Sequence, residues 1–237
     1  MSPYADRRDA GRVLAAELRD YAGRDDVIVL ALPRGGVPVG YEVATRLGAP
    51  LDVFVVRKLG VPGHEELAMG AIASGDVRVL NAEVVAELGI PEDVVNAVAD
   101  AEAPELARRE REYRGDRRAV DVQNKTAILV DDGLATGSTM KAAIASLKQR
   151  GPERIVVAVP IAAPSTCDEL ASEVDDIVCA ITPEPFHAVG DWYDDFSQTT
   201  DDEVRELLEA ANRQQARREH ESGLRSRSAD ADSHASE

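Results

Sequence analysis

The chain has 237 residues, enough for one α/β domain with a small subdomain and a tail. Hydrophobic residues make up 44% of it, which supplies a core and excludes a chain left unfolded for want of apolar surface. The net charge of −17, from 44 acidic and 27 basic residues, argues against nucleic-acid or anionic-membrane partners, and no apolar run has the length of a membrane span.

The first twelve residues, Met1–Arg12, are charged and lack an apolar h-region, so a cytoplasmic protein is expected. Asp6–Ala22 carries Val13, Leu14 and Leu18 at helical spacing. Five short runs rich in valine and isoleucine follow: Val27–Leu32, Val53–Val56, Ala127–Val130, Ile155–Ile161 and Ile177–Ile181. None alternates cleanly, as strands covered on both faces of a parallel sheet do not. Helical stretches separate them at Val37–Leu47, Ser138–Arg150 and Pro164–Ser172. In Ser138–Arg150 the residues Met140, Ala143, Ile144 and Leu147 form one apolar face, and Gly151-Pro152 ends it. The alternation predicts an α/β fold: a doubly wound, mostly parallel five-stranded sheet with helices on both faces.

The stretch of about 60–120 reads as a small hairpin and helical insertion. Ala68–Ala73 and Val77–Leu80 flank a hairpin turn at Ser74-Gly75-Asp76, and helices are predicted at Ala82–Leu88 and Pro91–Tyr113. The run Arg108–Arg118 reads as a solvated, salt-bridged helix face rather than a basic cover over a phosphate. A C-terminal hood is expected over about 182–211, with a last helix at Glu203–Gln215, so that 1–211 forms the domain. Residues 212–237 read as a disordered acidic and polar tail. Cys167 and Cys179 have no CxxC partner and no neighbouring histidine cluster, and read as two small buried hydrophobes. Only four lysines occur, Lys58, Lys125, Lys141 and Lys148. An acidic, lysine-poor surface is similar to those of halophilic proteins, in which salt screens self-repulsion.

The chemistry concentrates in Ile128-Leu129-Val130-Asp131-Asp132-Gly133-Leu134-Ala135-Thr136-Gly137-Ser138-Thr139-Met140. A buried strand delivers two adjacent carboxylates to its C-terminal end. A loop with two glycines follows, then hydroxyls at a helix start. Free amides of Ala135, Thr136, Gly137, Ser138 and Thr139, with the helix dipole behind them, make a phosphate cradle without lysine. Asp131 and Asp132, one loop away, can accept from sugar hydroxyls or hold water on a hard cation. A Walker A loop is excluded by the spacing of Gly133 and Gly137 and by the lack of a following lysine, and Gly35–Gly40 does not supply a dinucleotide fingerprint.

Asp131–Thr139 resembles the signature of the type I phosphoribosyltransferases for 5-phosphoribosyl 1-pyrophosphate (PRPP): an apolar strand, two acids, a small-residue loop, then TG[ST]T. The resemblance covers roughly Val27 to Ile181. It implies that Asp131 and Asp132 are the catalytic pair facing the ribose hydroxyls and contacting Mg2+ through water and PRPP. It implies that Ala135–Thr139 hold the 5′-phosphate. It also implies a pyrophosphate grip by the loop Arg34-Gly35-Gly36 after the first strand, where open α/β sheets bind ligands. Arg57 and Lys58, two cations at a strand end, suit the same pyrophosphate. The following Leu59–Glu66, with Gly60, Pro62, Gly63 and His64, suits a loop that closes over the site. His64 is a general acid, a pyrophosphate contact or merely exposed, as a lone loop histidine more often is. Phe186, Trp192 and Tyr193 cluster in a chain with only 4% aromatics, and form either an acceptor pocket or a packed lid or dimer contact.

The function this implies is Mg-dependent transfer of the phosphoribosyl group of PRPP to a nitrogen acceptor, a nucleobase or related small molecule, with release of pyrophosphate. The alternative from another class is a PRPP-binding regulatory protein without turnover. A weaker third, an uptake or assembly protein with a degenerate fold, calls for a motif that has lost an acid or the TG[ST]T, and this one has not. The expected partners are PRPP, a small-molecule acceptor and a second copy in a homodimer.

Overall fold

The computed structural model describes residues 2–75, 77–115 and 117–234, the stretch 222–234 by its backbone alone. Its main sheet is built from β1 (Val27–Ala31), β2 (Leu51–Val53), β6 (Thr126–Val130), β7 (Arg154–Ile161) and β8 (Asp176–Ile181), in the order β2-β1-β6-β7-β8. Every pairing in it is parallel. Helices α1 (Arg7–Glu17), α2 (Gly36–Leu47), α5 (Ser138–Lys148) and α6 (Pro164–Ala171) join or cover these strands. The expected α/β sheet is therefore present.

Alternate strand residues enter two different cores. Val27, Val29 and Ala31 join Ile128, Val130, Val156 and Ala158 in a cluster with Leu14 of α1 and Val43 and Leu47 of α2. Ile28 and Leu30 join Ala127, Leu129 and Val157 with Met140, Ile144 and Leu147 of α5 and Leu170 of α6. A strand buried on both faces has no polar side to alternate with, which explains the unbroken apolar runs.

The insertion differs from expectation. The second run divides. β2 ends at Val53, and β3 (Val56–Val61) starts a separate antiparallel sheet with β4 (His64–Ala73) and β5 (Val77–Leu80). Arg57 and Lys58 thus lie within a strand, and Leu59–Glu66 forms the tip of the β3–β4 hairpin rather than an irregular loop. The pairing satisfies backbone groups that a loop would leave to water, and it buries Leu59 and Met69 completely. Gly63 turns the chain at φ 81°. The β4–β5 hairpin stands where predicted, although Asp76 of its turn lies outside the described residues. Helices α3 (Ala82–Glu87) and α4 (Glu92–Arg114) follow. On α4, Arg108 and Arg109 pair with Glu105 and Arg114 with Glu110, in keeping with a salt-bridged face. Arg114 is however buried and also pairs with Asp52.

Two further corrections concern the C-terminal half. Cys167 and Cys179 are not separate hydrophobes; they form a disulfide between α6 and β8, with Cα atoms 6.7 Å apart. The chain folds β7-α6-β8 back on itself, which brings together residues whose spacing, 12 in sequence, matches no local motif. The last helix, α7, runs Asp201–His234, so the expected disordered tail is helical from 212 to 234. Gln214 on α7 bonds Tyr41 and Thr45 of α2, and Arg218 donates to the Thr45 carbonyl. These contacts, on a stretch of good helix formers (Ala, Arg, Glu, Gln), replace the missing apolar face. Residues 235–237 of the expected tail lie outside the described residues.

Candidate active site

β1 and β6 are neighbours, but β1 leads to β2 on one side and β6 to β7 on the other. The gap beyond their C-terminal ends is the switch point of the sheet, where α/β folds bind ligands. Two loops meet there. Leu32 N–H donates to the Val130 carbonyl at 2.8 Å. Gly36 lies so close to the β6 loop that a Cβ would fall 2.6 Å from the Val130 oxygen, and one on Gly35 would strike the Asp132 carboxylate. The glycine pair is what lets the Arg34-Gly35-Gly36 loop approach the acids. The Pro33–Arg34 peptide is cis, and the Gly36 amide bonds the Leu32 carbonyl.

Asp131 and Asp132 leave β6 side by side. Asp131 Oδ1 accepts the Asp132 amide at 2.9 Å. Asp132 Oδ2 accepts Arg7 Nε at 2.8 Å. Burial, and then the Asp132 charge, push the Asp131 carboxyl well above the ordinary carboxylate range. Burial also raises Asp132, against the opposing pull of Arg7. Two crowded carboxylates are an arrangement that waits for a cation, a donor hydroxyl or a positive reacting centre.

The following loop is held from behind. Leu134 bridges to Ala162, and the Ala135 carbonyl accepts the Thr166 hydroxyl of α6 at 2.6 Å. Gly137 caps α5 in the left-handed region at φ 67°, and a Cβ on it would meet Thr166 at 2.7 Å. The amides of Ala135, Thr136 and Gly137 make no hydrogen bond among the described residues. Ala135, Thr136, Ser138 and Thr139 are exposed. An anion would therefore meet unspent donors at the positive end of α5.

The expected pyrophosphate cations are already paired or bonded. Arg57 pairs with Glu102 of α4, with Nε–Oε2 at 2.7 Å. Arg34 lies 3.8 Å from Asp201 at the start of α7, and Asp201 also accepts the Tyr113 hydroxyl at 2.6 Å. Lys58 reaches across to Ser138 Oγ at 3.4 Å. His64 is exposed on the β3–β4 hairpin.

The aromatic segment packs inward. Tyr193 is buried, its ring lies against Tyr4 and Phe196, and its hydroxyl donates to the Asp132 carbonyl at 2.6 Å. Phe186 and Trp192 pack on the same small cluster of Tyr4, Ala10 and Ile161. Burial drives the Tyr193 phenol far above its ordinary range. Sequence reasoning missed Arg7, Glu102, Thr166 and Asp201. Each is an ordinary polar residue on a helix, and no local pattern marks it.

Fold and site together define an α/β domain with a paired-acid centre beside a loop of unbonded amides. Residues 6–188 match the family model described as "Phosphoribosyl transferase domain", and the chain belongs to that family. It is 46% identical over 213 residues to the Mycobacterium tuberculosis protein named "Putative phosphoribosyl transferase", covering 90% of this chain and 48% of the relative. The chain thus spans about half the length of the curated relatives it matches. The crystal structure of TT1426 from Thermus thermophilus is similar at a TM-score of 0.80 and 40% identity, covering 88% of this chain and 98% of that one.

Proposed function

We propose that this chain transfers the phosphoribosyl group of PRPP to a nitrogen acceptor and releases pyrophosphate, with magnesium. The observation that supports this best is the convergence at one switch point of Asp131 and Asp132, the unspent amides of Ala135–Gly137, and the Arg34-Gly35-Gly36 loop. In this reading Ala135–Thr139 bind the 5′-phosphate and the acids face the ribose. Arg34, Gly35, Gly36, Arg57 and Lys58 serve the pyrophosphate. The carboxylates stabilise positive charge developing on the sugar.

The residues suit magnesium of a particular kind. Among the described residues no group of three His, Cys, Asp or Glu could cage a metal. A pair of carboxylates fits an ion that keeps its waters and is carried mainly by the substrate's phosphates. When bound, it neutralises the leaving pyrophosphate.

One observation favours the second reading, a PRPP-binding regulator without turnover. The three aromatic candidates for an acceptor pocket are packed into the hood, and Val189 and Ile161 close over Gly133. Calorimetry with PRPP and magnesium, followed by a pyrophosphate-release screen over purines, pyrimidines and small amines, separates the two. Binding with release supports the transferase, and binding alone supports the regulator. Folded protein that binds no PRPP sinks both.

A further inference from the structure

Arg7 comes from the first turn of α1, 125 residues away from the acid it touches. Its Nε donates to Asp132 Oδ2 at 2.8 Å, and its Nη1 donates to the Ser197 carbonyl at 2.7 Å. Its guanidinium lies 3.9 Å over the Phe196 ring. The side chains of Arg7 and Asp132 are only 11% and 17% exposed. Such a pair is screened little by water, and the guanidinium is held by three contacts at once. The same carboxylate lies against Gly35 of the opposite loop, and the Asp132 carbonyl holds Tyr193. Asp132 is therefore fixed at both its side chain and its main chain by the N-terminal helix and the hood.

We infer that Arg7 is a positioning residue: it fixes the Asp132 carboxylate for the ribose and, through Phe196 and Ser197, ties the acidic pair to the C-terminal segment. The inference rests on the proposed ribose role of Asp131 and Asp132. It assigns to α1 a part in the site that the PRPP motif alone does not contain. An ion pair of this kind leaves Asp132 Oδ1 available while Oδ2 is held, so the acid meets a sugar hydroxyl in one orientation. Without Arg7 the carboxylate is free to rotate and to be hydrated, and part of the binding energy is lost in ordering it.

The test uses the full chain with magnesium, titrated calorimetrically with ribose 5-phosphate and separately with pyrophosphate, in wild type, Arg7→Gln and Arg7→Lys. Arg7→Gln should weaken ribose 5-phosphate on the order of tenfold, the cost of losing a charge-assisted contact, and leave pyrophosphate nearly unchanged. Arg7→Lys should recover part of the loss, because a charge at Asp132 is restored without the fork geometry. Should Arg7→Gln fail to fold, Phe196→Leu keeps an apolar side chain against Tyr193 while removing the ring stacked on Arg7, and should weaken ribose 5-phosphate about two- to fivefold. Equal loss for both ligands, or loss for neither, overturns the positioning role. Wild-type protein that binds no ribose 5-phosphate overturns the ribose assignment itself, and the role of Arg7 with it.

Discussion

The two sides of the site are built differently. On the side proposed for the sugar phosphate, main chain does the work: β6, Gly137, the Leu134–Ala162 bridge and the Thr166 hydroxyl hold a loop whose amides stay unspent. On the side proposed for pyrophosphate, side chains do it, and Arg34 and Arg57 lie against Asp201 and Glu102. The first surface is braced from behind by the fold. The second has its charge provisionally satisfied by half-exposed carboxylates, and such pairs contribute only about 0–1 kcal/mol. Affinity for the 5′-phosphate should thus be set by backbone geometry, and affinity for pyrophosphate by how easily two acids give up their cations.

The largest expected effect falls on the sugar side. The double variant Asp131→Asn, Asp132→Asn should lose about 10²–10³ in turnover, the usual cost of removing an electrostatic stabiliser, with a smaller loss of PRPP affinity, on the order of the tenfold expected when Arg7 no longer grips Asp132. Pyrophosphate release and PRPP titration on the same sample measure both. Undiminished turnover would rule out the role given to the acids.

The single variants should differ in stability. Asp132→Asn leaves the nearly buried Arg7 without its counter-ion and should lower the melting temperature. Asp131→Asn should do the reverse at neutral pH. Burial holds the Asp131 carboxyl above its unfolded value, so the associated stability is present in acid and is lost as pH rises through the folded value. The melting temperature of Asp131→Asn minus that of wild type should therefore widen from about pH 4 upward. A gap that is constant or narrows breaks the assignment.

A smaller effect sharpens the pyrophosphate side. Glu102→Gln frees Arg57 and should tighten pyrophosphate about two- to fivefold, the worth of an exposed ion pair, and leave ribose 5-phosphate unchanged. Weaker pyrophosphate binding would mean that Glu102 orients Arg57 instead of competing for it. The smallest effect is global. The −17 charge should make the melting temperature rise by a few degrees between dilute buffer and molar potassium chloride. A flat or falling curve removes the halophilic reading.

The parallel sheet and the acidic loop were legible in sequence because each is contiguous. Five apolar runs report burial on two faces, and Ile128–Met140 carries strand, acids, glycines and hydroxyls in one stretch. The β3–β4 hairpin was not legible, since Arg57-Lys58 and the glycines after them look like a strand end and a loop. Only the pairing with β4 and the burial of Leu59 make that segment a strand. The reach of α7 was misread for a similar reason: its anchors, Gln214 and Arg218, are polar and act only because α2 lies beside them.

The sequence by itself determined the α/β class, the strand order's raw material and the residues of the acidic loop, because short-range chemistry and burial periodicity are written locally. Only the tertiary structure decided that Cys167 meets Cys179, that Glu102 and Asp201 lie against the cations, and that Arg7 grips Asp132. Those partners are far apart in the chain, and a single arginine, glutamate or cysteine carries no mark of what it will touch. Their positions follow from where the packed sheet and its helices place distant segments of the chain.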